Sequence, residues 1–95
     1  MSAVLLGTLA VTAYVATGRP CADGKLPAAG VTVAAPRSVP LGSRVWVEGV
    51  GDRLVEDRTA RRFDGRLDLF VGSAAEARHW GKRRLRVWLL EGGRK

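Results

Sequence analysis

With one cysteine, Cys21, the chain closes no intramolecular disulfide, and with one histidine, His79, it offers no Cys/His set for a metal. There is no Gly-rich phosphate loop and no nucleophile elbow. Nucleotide chemistry of those types has no visible ligands, and no metal or cofactor is expected. Long apolar runs are missing too. The stretch over residues 3–15 is broken by Gly7, Thr8 and Thr12 and falls short of the ~20 apolar residues that span a bilayer as a helix. No Lys or Arg precedes Arg19, so a secretory signal would lack its basic start. Residues 1–8 are read as the remnant of a leader, trimmed or misplaced, ahead of a first strand. Acids are scarce: 9 Asp and Glu face 16 Lys and Arg, for a net charge of +7. That excess favours an anionic partner such as nucleic acid, lipid headgroups or a cell-wall polymer.

What is present fits a single small domain over residues 1–95, with 46% apolar and 26% charged residues. Folding at this size buries between about 60 and 70% of the exposed surface of the chain, enough for one core. Residues 9–15 read as a strand, residues 20–30 as a turn-rich loop, and residues 31–34 as a short second strand. Residues 44–48 alternate with period two, placing Val45 and Val47 on one face and Trp46 on the other. The segment over residues 49–52 is a hairpin turn leading to an antiparallel strand over residues 53–57. Residues 59–65 are polar and cationic. A strand over residues 67–71 follows, with Leu67, Leu69 and Val71 facing one way and Asp68 and Phe70 the other. Ser73 is placed to cap a helix over residues 74–80, with Glu76 three positions on and Gly81 as its stop. Residues 84–90 alternate basic with apolar, and residues 91–95 fray. Six short strands without crossover helices argue for a small closed barrel.

Among the chemical candidates, Asp57, Asp64 and Asp68 lie close together among Arg58, Arg61, Arg62 and Arg66. Arginine neighbours lower an aspartate's pKa, whereas burial beside Phe63 or Phe70 raises it. A general acid at neutral pH needs the second influence to prevail, and sequence alone leaves open whether these acids are catalytic or solvated. His79 and Cys21 read as incidental. Trp46 and Trp88 read as core or groove lining. Lys82, Arg83, Arg84 and Arg86 with Trp80 and Trp88 suggest a stacking and phosphate-contacting surface, although no nucleic-acid motif accompanies them.

The order of segments resembles the 3D domain, a bacterial and phage cell-wall family named for three aspartates. The resemblance runs from Val11 to about Leu90. Its pieces are Val11-Thr12-Ala13-Tyr14, then Val31 through Ser43 with Pro40-Leu41-Gly42-Ser43, then Val55-Glu56-Asp57, then Leu67-Asp68-Leu69-Phe70 eleven positions later, then Ser73, Glu76, Ala77 and Gly81. The resemblance implies an all-β fold, a small six-stranded double-psi β-barrel with one short helix, similar to the catalytic barrel of membrane-bound lytic transglycosylase A. It also implies a peptidoglycan lytic transglycosylase that leaves 1,6-anhydro ends. Asp68 would be its acid/base and Asp57 its partner, with Thr12, Tyr14, Asp64 and Arg66 binding substrate. Peptidoglycan glycan strands become the expected partner, no nucleic acid is expected, and the expected location is the cell envelope or outside the cell. Two readings stand beside it: a wall-glycan module that binds without cleaving, and a basic nucleic-acid-binding barrel. The chain departs from the family at Ala35, where the first aspartate would stand, and at Asp57-Arg58-Thr59-Ala60, where Asp-x-Gly-Gly is usual.

Overall fold

The computed structural model describes residues 2–63 and 65–91. In chain order it has β1 (Ser2–Tyr14), β2 (Thr32–Ala35), β3 (Arg44–Val47), β4 (Gly51–Arg58), a 3-10 turn (Arg61–Phe63), β5 (Arg66–Phe70), α1 (Ala74–Trp80) and β6 (Arg83–Glu91). The strands close into a barrel in the order β1-β5-β2-β4-β3-β6. The β1–β5 and β2–β4 pairings are parallel, and the other four are antiparallel. This is the all-β, six-stranded double-psi barrel with one short helix that the sequence led us to expect.

Alternation decides which side chains fill it. Val45 and Val47 are fully buried, whereas Trp46 between them is 39% exposed. Leu67 and Leu69 point inward on β5, and Val11, Val33, Val55 and Val87 complete most of the core. Valine dominates because its branched, stiff side chain fits the pleated wall of a narrow barrel. Leu67 is the largest of the fully buried side chains. Leu67→Ala should therefore destabilise the fold by about 2–5 kcal/mol, read as a fall in the denaturant midpoint without loss of the native circular dichroism spectrum.

The helix forms as its caps dictate. The Ser73 side chain accepts from the Glu76 amide at 3.2 Å, and Gly81, with φ of 65°, stops the helix by donating its amide to the Ala77 carbonyl. Trp80 anchors α1 to the barrel by donating its indole N–H to the Val11 carbonyl at 2.9 Å.

Several boundaries differ from expectation. β1 starts at Ser2, because residues 2–8 pair antiparallel with β6 through Ser2↔Glu91 to Thr8↔Arg86, with a register shift accommodated at Gly7, φ 131°. Val71 lies just past β5, half-buried. The cationic link between β4 and β5 holds the 3-10 turn. Trp46 and Trp88 do not enter the core. They face each other across β3 and β6 on the outer wall, edge to face with centroids 5.3 Å apart, because the inward positions are taken by their valine neighbours.

Candidate functional site

Asp57 and Asp68 arrive in one row of the barrel wall. Thr12 on β1 stands opposite Asp68 on β5, Asp68 opposite Ala34 on β2, and Ala34 opposite Asp57 on β4. Neighbouring strands are about 4.8 Å apart, so the two aspartate Cα atoms lie roughly 10 Å apart with Ala34 between them. Both acids are half-buried.

A bulge brings Asp57 to this face. Val33 pairs with Val55 but Ala34 pairs with Asp57, which leaves Glu56 as an extra residue on β4. Strict alternation from the buried Val55 would turn Asp57 into the core. The extra residue turns it outward beside Asp68. Glu56 is itself buried, and its carboxylate accepts from the Thr32 hydroxyl at 2.6 Å, which in turn accepts from the Ala28 amide at 2.9 Å.

The two carboxylates are held differently. Thr12 donates to Asp68 Oδ1 at 2.5 Å. Asp57 Oδ1 accepts from the amides of Ala22 at 3.0 Å and Arg58 at 2.9 Å, and its Oδ2 accepts from the Tyr14 hydroxyl at 3.4 Å. Tyr14 packs edge to face on Phe70, its partner in the β1–β5 register, at 5.4 Å. Burial first, and then the charge of Asp57, hold the Tyr14 phenol far above its usual value near 10. It therefore stays a donor. Thr12 and Tyr14, expected to bind substrate, thus have their hydroxyls directed at the two acids. Arg66, expected in the same role, lies two residues before Asp68 on the same face of β5. Asp64 lies outside the described residues.

Sequence reasoning missed Cys21. Its buried thiol feels the charge of Asp57, and the same turn sends the Ala22 amide to Asp57 and the Asp23 amide to the Glu56 carbonyl at 3.2 Å. The loop over residues 15–31 is thereby stitched to the bulge. Burial, followed by the charges of Asp57, Asp23 and Glu56, pushes the thiol up to about 11 from its usual value near 9. A thiol so protonated is no nucleophile at neutral pH. The folded values of Cys21 and Tyr14 both lie above the unfolded ones, so the unfolded chain releases these protons first. Stability should be full below about pH 9 and decline as pH rises toward about 11. Urea midpoints across that window should fall less steeply in Cys21→Ser than in the natural chain.

Ala35 is fully buried and belongs to the core. Next to it, Thr59 donates its amide to the Ala35 carbonyl at 3.2 Å, and its buried hydroxyl has no partner among the described residues. Arg58 braces the following loop through the carbonyls of Pro36 and Val39. Among the described residues no cluster of three His, Cys, Asp or Glu is placed to hold a metal. No helix of the structure is long and apolar enough to cross a membrane.

Comparisons with known proteins agree with this frame. The cell wall-binding protein YocH of Bacillus subtilis (strain 168) is 36% identical over 66 residues, which cover 70% of this chain and 23% of that protein. The putative cell wall shaping protein YabE of the same organism is 29% identical over 91 residues, covering 87% of this chain and 22% of that one. The chain thus spans less than a quarter of the length of either relative. Among solved structures, the crystal structure of MltA from E. coli superposes with a TM-score of 0.61 at 21% identity, covering 76% of this chain and 27% of that one. A second MltA structure, described as a unique lytic transglycosylase fold, gives the same values. At this identity the likeness is one of fold. The model of the 3D domain matches residues 31–91, which include β2 to β6 and both aspartates, and the chain belongs to the 3D domain family.

Proposed function

We propose that this barrel acts in the cell envelope or outside the cell on peptidoglycan glycan strands, as a lytic transglycosylase cutting between N-acetylmuramic acid and N-acetylglucosamine. The observation that carries the reading is the row Thr12–Asp68–Ala34–Asp57, which sets two acids on one face of the wall with only Ala34 between them. Thr12 engages Oδ1 of Asp68, leaving Oδ2 to meet the sugar. In the reaction Asp68 gives a proton to the glycosidic oxygen as the bond from C1 to that oxygen breaks. The muramic acid 6-hydroxyl then attacks C1 and returns its proton to Asp68. The product is a 1,6-anhydro sugar and no water is consumed. One acid suffices for both transfers because an internal hydroxyl has a high effective concentration. Asp57, surrounded by donors, serves as a fixed negative group facing the cationic character that develops at C1.

A binding role without cleavage is the second reading. It is favoured by Ala35 in place of the family's first carboxylate and by the name of YocH as a cell wall-binding protein. Incubation with purified sacculi separates the two. Release of anhydromuropeptides supports cleavage; a protein that pellets with sacculi yet releases none at any pH is a binder.

A further inference from the structure

Beside the acids lies a cluster the cleavage scheme does not use. The 3-10 turn Arg61–Phe63 sits in the link between Asp57 and Asp68. The Phe63 ring is 39% exposed, with the Arg66 guanidinium 3.9 Å from its centroid and that of Arg62 at 4.7 Å. Arg66 and Asp68 share the outer face of β5, one two-residue step of about 7 Å apart. In the same row, Ala10 pairs with Arg66 on one side and with exposed Arg84 on the other. The ion pairs among the described residues, Arg44–Asp52 and Arg86–Glu48, involve neither Arg62 nor Arg66.

Stacking on a ring fixes a guanidinium plane and leaves its N–H fork free for a planar anion. Holding two such cations on one ring costs mutual repulsion, which an arriving anion relieves. Carboxylate matches the fork bidentately. We infer that Arg62 and Arg66, braced on Phe63 beside Asp68, form a carboxylate subsite that selects glycan strands whose sugars bear anionic peptide side groups. The inference rests on the wall-glycan reading above and names what in that polymer is recognised.

The test uses sacculi freed of teichoic acid, before and after carbodiimide amidation of their carboxyl groups, in a pelleting assay. Amidation should weaken binding of the natural chain about tenfold. The double variant Arg62→Gln/Arg66→Gln, checked for an unchanged unfolding midpoint, should bind untreated sacculi as weakly as the natural chain binds amidated ones. It should also respond little to amidation. The control Arg78→Gln/Lys82→Gln removes equal charge from α1 and the turn after it, and should keep the natural discrimination. A double variant that still loses tenfold on amidation overturns the inference, as does a control that loses as much as the double variant. Natural protein that binds both sacculi equally also overturns it, yet leaves the wall-glycan reading standing. Binding to neither form sinks both. A random oligonucleotide bound more tightly than untreated sacculi, and released by the double substitution, reassigns the cluster to nucleic acid.

Discussion

Asp68→Asn should reduce release of anhydro-ended fragments from sacculi by about 10³-fold or more while the protein still pellets with the wall. Asparagine has the shape of aspartate, and its carbonyl can take the place of Oδ1 as acceptor for Thr12, so the β1–β5 pairing is undisturbed. Only the transferable proton disappears. Under the proposed scheme the glycosidic oxygen then leaves without protonation and the 6-hydroxyl attacks without a base, so both halves of the reaction suffer. Fragment release is followed by chromatography of the digest, and the thermal midpoint by circular dichroism. Turnover equal to that of the natural chain would remove Asp68 from the role, because no other arrangement of the site makes this carboxyl dispensable to an acid/base step.

Much of the barrel was legible because its signals are local. Alternation at Val45-Trp46-Val47 and at Leu67-Asp68-Leu69, and the Ser73–Glu76 cap, each report on a few adjacent residues, and each element formed close to its expected place. The pairing of Asp57 with Asp68 was legible only through the family spacing. Alternation argued against it, since Val55 is inward and Asp57 shares its parity. The bulge at Glu56 resolves the conflict, and nothing in the sequence marks it. Its cause is distant: Thr32 at the start of β2 and the Asp23 amide in the loop before it satisfy the carboxylate and the carbonyl of Glu56 from more than twenty residues upstream. Cys21 was opaque for the same reason, the Asp57 charge that acts on it being 36 positions away. Of the two places read for Trp46 and Trp88, core or groove lining, the core is excluded because the narrow interior is filled by valines, and cross-strand packing on the outer wall takes both rings.

Asp57→Asn should lower the rate by about 10²-fold with binding to sacculi unchanged. The amide oxygen can accept from Ala22 and Arg58 as Oδ1 does, and Tyr14 can turn its hydroxyl to accept from the new amide group, so every hydrogen bond at the position keeps a partner. The change is then chiefly one of charge. A fixed anion in the same row as Asp68 matters little to the uncharged ring bound in the ground state but stabilises the cationic centre formed as the glycosidic bond breaks, so the loss belongs in kcat and not in KM. A bracing role makes the opposite forecast. If Asp57 only ties down the loop over residues 15–31, the substitution should leave kcat alone, while the stability decline above about pH 9 that Cys21 produces shifts in either case because the Asp57 charge helps raise that thiol. Single-turnover rates on soluble glycan strands, measured beside urea midpoints at pH 7 and pH 10, separate these outcomes. An unchanged single-turnover rate with a displaced alkaline midpoint would make Asp57 a clasp for the loop and leave Asp68 to act with Thr12 alone.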